Sequence, residues 1–146
     1  MHNNRFSKIL VAIDGSEYST KAFEYAIDIS NKYGSKIVLF HVIVSPVYAY
    51  GIEGTIVLEP DERLTADGRN ILKIKRDQAM KEGIEVESKL VEGHPSEKIV
   101  IEANEGSYDL VVMGSRGLGR VKSFLLGSIS DRVSHYSECP VLIVKP

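Results

Sequence analysis

The chain has a single cysteine, Cys139, among its 146 residues, so no internal disulfide can form. That composition fits a reducing compartment. No lysine, arginine or second cysteine adjoins Cys139 to activate it, so a small, partly buried residue is expected there. Long apolar runs are also missing, and nothing approaches the ~20 residues that a bilayer-spanning helix needs. The opening Met1-His-Asn-Asn-Arg-Phe6 is polar and carries no apolar signal core. These absences predict a cytoplasmic protein with no membrane partner. An excess of positive charge is lacking too: 18 Lys and Arg stand against 20 Asp and Glu. General nucleic-acid binding wants a basic face, so no nucleic-acid partner is expected.

Metal and nucleophile patterns are equally sparse. The four histidines, His2, His41, His94 and His135, are dispersed. None stands in His-x-x-x-His spacing and there is no Cys-x-x-Cys, so no structural zinc site is expected. The run Gly127-Ser-Ile-Ser-Asp131 lacks the last glycine of a Gly-x-Ser-x-Gly nucleophile elbow.

What is present is a regular alternation of strand and helix patterns. Residues 7–13 form a continuous apolar run rich in β-branched side chains, as in a strand buried on both faces. Asp14-Gly15-Ser16 ends it. Ala22, Ala26, Ile29 and Tyr33 then recur at helical spacing up to Gly34, a natural helix stop. Residues 36–43 read as a second strand, and residues 46–60 as an irregular segment with Tyr48 and Tyr50. Asp61 is expected to cap a long helix reaching about Lys81, with Leu64, Ile71, Leu72 and Ala79 inward. A third strand, residues 84–91, alternates in its first half, as expected near a sheet edge. Pro95 suits the first turn of a helix over residues 96–104, with Ile99, Val100 and Ala103 inward. Residues 109–113 give a fourth strand, 128–137 a last helix and 140–144 a fifth strand. One domain, residues 1–146, is expected, and roughly 70% of the surface of an unfolded chain this long can be buried. The fold class is α/β, an open parallel sheet with helices on both faces. Ligands of such sheets bind beyond the carboxyl ends of the strands, where the winding reverses.

The most informative stretch follows the fourth strand. Gly114, Gly117 and Gly119 come close together, and Gly127 stands directly before Ser128 and a helical pattern. Glycines let the backbone approach an anion closely. A helix start adds unpaired N–H groups and the positive end of a dipole. Arg116, Arg120 and Lys122 add local positive charge. The pattern reads as a phosphate cradle, although Arg120-Val121 stands where a Walker A loop has Lys-Ser/Thr. The bland alternative is a long turn. If the first and fourth strands are neighbours, Asp14 and the glycine loop share one crevice.

Taken together, these segments resemble the universal stress protein family. The specific element is Gly114-x-x-Gly117, nine residues, then Gly127-Ser128, which matches that family's ATP-binding signature. The strand end Ile-Asp14-Gly-Ser16, the Phe40-His-Val42 strand end and the closing Cys-Pro-Val-Leu-Ile-Val144 also match, so the resemblance covers nearly the whole chain. It implies a Rossmann-like, five-stranded parallel sheet of order 3-2-1-4-5. It implies bound ATP, or AMP or ADP, with Mg2+ bridging the phosphates. Asp14 would contact the ribose or adenine side, and the Val42 backbone would pair with adenine. Met113 and Gly114 would lie against the nucleoside. Gly117, Gly127, Ser128 and Ile129 would meet the phosphates, with Arg116 beside them. The resemblance also implies a homodimer through the final strand, Pro140 to Val144. The apolar character of that strand, unsuited to an open edge, points the same way.

Two local alternatives stand beside these roles. Asp14 can cap the helix starting at Glu17. Ser128 and Asp131 form a Ser-x-x-Asp pattern in which Ser128 serves its own helix. No carboxylate is evidently placed to activate water at a terminal phosphate. The sequence therefore supports a nucleotide-responsive stress or regulatory factor over an enzyme. A slow or partner-activated ATP hydrolase is the first alternative and a nucleotide-independent interaction module the second.

Overall fold

A computed structural model of the chain describes residues 4–44, 62–117 and 126–146. Among these residues, β1 (Lys8–Ala12), α1 (Glu17–Tyr33), β2 (Lys36–Val44), α2 (Glu62–Lys81) and β3 (Val86–Gly93) form the first half. They are followed by α3 (Pro95–Glu105), β4 (Leu110–Gly114), α4 (Ser128–Tyr136) and β5 (Val141–Val144). The strands make one sheet of order β3-β2-β1-β4-β5, with every neighbouring pair parallel. This is the order that the sequence resemblance implied. The segment 45–61, with its tyrosines and Asp61, lies outside the described residues, as do Gly119, Arg120 and Lys122.

The apolar run of β1 becomes the centre of the sheet because it is buried on both faces. Ile9, Leu10 and Val11 have no exposed surface. Ile9 and Val11 join Ile37 and Leu39 under α1 and α2, where they meet Phe23, Ala26, Ile27, Leu72 and Ala79. Leu10 joins Val38, Phe40 and Val111 under α3 and α4, where they meet Ile99, Ala103 and Val133. Each buried Val, Leu, Ile or Phe among them contributes roughly 1.5–3 kcal/mol on burial.

The inward stripes differ from expectation at their ends. Ala22 and Ala26 are buried as expected, and Phe23 and Ile27 join them. Tyr33 lies in the last turn of α1 and is 43% exposed, resting edge-on against Phe6 with ring centroids 5.3 Å apart. Leu64, expected inward, is 41% exposed because it lies in the first turn of α2. The buried stripe of α2 starts one turn later, at Gly68. Gly34 stops α1 in the left-handed conformation, φ 69°, and its N–H reaches Ser30 O at 2.7 Å.

A charged cluster ties α3 to the sheet. Glu102 Oε1 accepts from Lys89 Nζ and from the Tyr108 hydroxyl, each at 2.7 Å. Lys8 Nζ lies 4.5 Å from the centre of the Tyr108 ring. Burial pushes the Glu102 carboxyl up. The hydrogen bonds from Lys89 and Tyr108 and the charge of Lys89 outweigh this and hold it below its ordinary value. A depressed carboxylate contributes stability that is complete above its unfolded value, about 4.3. That stability is lost as the pH falls through the lower folded-state value. Tyr108→Phe should therefore cost about 1–2 kcal/mol at pH 7, and the difference from wild type should narrow at pH 3. Urea unfolding at the two pH values checks this.

Candidate functional site

The site is built where β1 ends. Asp14 leaves the sheet there and is held by the start of α1. Its Oδ1 accepts from Ser16 N at 2.9 Å and from Ser16 Oγ at 2.5 Å. Ser16 is the N-cap of α1, accepting from Ser19 N at 3.2 Å. Ser19 Oγ in turn donates to Ser16 O at 3.1 Å and faces Asp14 N at 3.3 Å. Ser16, not Asp14, therefore caps the helix. Asp14 spends one oxygen on the turn and directs the other, Oδ2, toward the glycine loop. A Cβ built on Gly117 would lie 2.5 Å from that oxygen. The carboxylate occupies space that only a glycine at position 117 leaves open.

The other wall comes from β4. Gly114 lets α1 approach, since a Cβ there would lie 2.7 Å from Tyr18 Cβ and 2.9 Å from the Tyr18 carbonyl carbon. Ser115 follows, with its N–H on Val144 O at 2.9 Å. Its carbonyl accepts from Gly127 N and from Ser130 Oγ, both at 2.8 Å. One carbonyl thus pins the chain where it enters and leaves the glycine loop. Gly127 is the N-cap of α4, and its own N–H is committed to Ser115 O. The first-turn amides of α4, those of Ser128 and Ile129 among them, have no intrahelical acceptor. Ser128, the first helical residue after the Gly127 N-cap, is exposed, while Ile129 packs against the second core cluster. Asp131 turns to His135, 3.6 Å away on an exposed helix face.

Main-chain direction completes the crevice. Phe40 O accepts from Ile13 N at 2.9 Å, so the even-numbered residues of β2 turn their N–H and C=O toward β1. Val42 lies two residues further on, past the end of β1. Ser115 N faces β5, so Gly114, one residue earlier, faces the β1 side. Strand ends on both sides of β1 therefore direct polar main chain over the same gap, the point where the winding reverses. Met113, 4% exposed, is a core residue behind this wall. Arg116 is half-buried at the loop entrance.

The arrangement offers a carboxylate acceptor, main-chain donors and acceptors, and a helix start within one crevice. Among the described residues, no group of three His, Cys, Asp or Glu side chains is placed to hold a metal. No described helix is long and apolar enough to cross a membrane. Asp14 and Gly117 meet directly, while Gly114 packs on Tyr18 and Gly127 on Ser115. The roles of Ser16, Ser19, Ser115 and Ser130 emerge only in the fold, although a serine such as Ser16 just before a helical pattern is a capping signal.

A five-stranded parallel sheet of this order has counterparts among known proteins. The universal stress protein family model matches residues 5–145. The chain belongs to that family. It is 34% identical to the universal stress protein YxiE of Bacillus subtilis over 147 residues, covering 96% of this chain and 99% of that one. Among solved structures, MJ0577 superposes with a TM-score of 0.82 at 29% identity, over 97% of each chain. A universal stress protein in complex with cAMP gives 0.72 at 27% identity, over 96% of this chain and 97% of that one. A family member from Arabidopsis thaliana with AMP bound gives 0.68 at 26% identity, over 95% of this chain and 91% of that one.

Proposed function

We propose that residues 1–146 act as one nucleotide-binding domain that holds an adenine nucleotide in the crevice between β1 and β4. On this reading the protein is a cytoplasmic, nucleotide-responsive stress factor. The observation that carries the reading is the meeting of Asp14 and Gly117, where a Cβ would come within 2.5 Å of the carboxylate. Two loops from different strands close on one another only because one of them has no side chain.

The chemistry of the crevice fits such a ligand. A carboxylate at Asp14 is an acceptor for ribose hydroxyls. The first-turn amides of α4, with the Ser128 hydroxyl, suit phosphate oxygens. Val42 offers a main-chain N–H and C=O to a base edge. Mg2+ would bridge the phosphates through their own oxygens and waters. Relatives with AMP and with cAMP lend support. Mass spectrometry of gently extracted protein tests the reading. A co-purifying adenine nucleotide is expected, and protein that neither carries nor takes up one refutes it.

Turnover is expected to be slow. Among the described residues, the carboxylate that reaches the loop, Asp14, is tied into the α1 turn through Oδ1. The isolated protein should hydrolyse ATP well below the ~10 s⁻¹ of a typical enzyme. A phosphate-release assay reaching that rate, with the activity lost in Gly117→Val, would favour the hydrolase reading instead.

A further inference from the structure

The ladder between β1 and β2 stops one bond short. Its paired register ends at Ala12 and Phe40, and its last main-chain bond runs from Ile13 N to Phe40 O. Continued regularly, the next bond would take Val42 N–H to Ile13 O. The Ile13 carbonyl instead meets His41 Nδ1 at 2.6 Å. A carbonyl oxygen only accepts, so Nδ1 carries the proton and donates. The ring cannot easily leave this position. A Cβ at Gly68 of α2 would lie 2.9 Å from His41 Cδ2, 3.3 Å from Nε2 and 3.0 Å from Leu90 Cδ1. A glycine inside a helix costs about 1 kcal/mol relative to alanine. Here it lets α2 press the imidazole against the end of β1.

We propose that His41 is a positioning residue for recognition of the nucleobase. By occupying Ile13 O, it keeps the Val42 N–H and C=O open as a donor–acceptor pair. It also anchors the residue that precedes Asp14. This inference rests on the adenine-nucleotide reading above. The edge of adenine presents a ring-nitrogen acceptor beside an amino donor, which matches a main-chain N–H beside a C=O. Guanine presents a ring N–H beside a keto oxygen, the reverse order. A ladder that closed onto Val42 would remove the donor that tells the two apart. His41 itself has no need to touch the ligand.

The test compares His41→Asn, which keeps a donor near the Nδ1 position, with His41→Leu, which removes it. His41→Gln serves as a second donor-displaced variant if the leucine chain does not fold. Calorimetry on the full chain uses ATP, GTP and inorganic tripolyphosphate. Wild type and His41→Asn should prefer ATP. His41→Leu should lose about tenfold or more of that preference, with its tripolyphosphate affinity changed by less than about twofold. A folded His41→Leu chain with the wild-type ATP-to-GTP ratio overturns the proposal. A second measurement needs no nucleotide. Amide hydrogen exchange at Val42 should be fast in wild type and slower in His41→Leu, as the ladder closes. Unchanged exchange overturns the proposal even where nucleotides bind. Slowed exchange in a protein that binds no nucleotide would leave His41 holding the ladder open and refute the adenine reading alone.

Discussion

Gly117→Val is expected to abolish nucleotide binding. A Cβ at this position would lie 2.5 Å from Asp14 Oδ2, closer than real Cβ atoms come to any neighbour. Either the carboxylate or the loop must move. The carboxylate is not free to do so at low cost, because its other oxygen holds Ser16 N and Ser16 Oγ at the start of α1. Displacing the loop moves the backbone that a phosphate would approach. Both routes disturb the contacts of the proposed nucleotide site, and valine adds two methyl groups beyond the Cβ. A loss of at least about 100-fold in affinity follows, roughly 2.7 kcal/mol. Gly127→Val reaches the same end through the backbone. Its Cβ would lie 3.0 Å from Ser115 O, a carbonyl fixed by Gly127 N and Ser130 Oγ. Calorimetry with ATP and AMP, on variants whose thermal unfolding remains cooperative, reads the effect. Wild-type affinity in both variants would show that the crevice is not the nucleotide site.

Periodicity carried most of the fold. The buried run of β1 and the stripes of α1 and α3 depend on side chains a few residues apart, so a local pattern reports them. Errors fell where tertiary position overrides that pattern. Tyr33 and Leu64 sit on the correct stripes but in end turns, and both are more than 40% exposed. Spacing cannot tell where a helix meets the sheet. For the same reason Asp14, Gly117 and Gly127 were legible as candidate site residues, while their supports were not. Ser115 and Ser130 act through a carbonyl shared across a loop. His41 acts through a carbonyl 28 residues away. Neither link leaves a trace in local sequence. Gly68 did leave one, since a glycine inside a helical pattern usually has a packing reason. What it packs against, His41 and Leu90, required the fold.

Ile143→Pro is expected to convert a dimer into a folded monomer. We infer the dimer from the edge of the sheet. β5 is the last strand in the order, and its four residues, Val141 to Val144, are all apolar. Val141, Leu142 and Ile143 are each half-buried in the single chain. Tyr136, on the neighbouring α4, is 64% exposed. Val111 N donates to Pro140 O and Ser115 N to Val144 O, so the even-numbered residues of β5 face β4. Val141 and Ile143 therefore turn their N–H and C=O outward. An apolar edge strand with outward-facing groups of this kind invites pairing. Antiparallel pairing with β5 of a second copy satisfies both the apolar surface and the hydrogen bonds under two-fold symmetry. The alternation also decides which substitution to make. Proline at Leu142 would remove a donor that faces β4 and would damage the sheet itself. Proline at Ile143 removes a donor that faces outward and spares the bonds to β4. Light scattering after size exclusion should give twice the chain mass for wild type and the chain mass for Ile143→Pro, with the circular dichroism of the variant retained. Wild type at the single-chain mass at micromolar concentration would rule the dimer out. An Ile143→Pro chain that stays dimeric would place the interface away from the β5 edge.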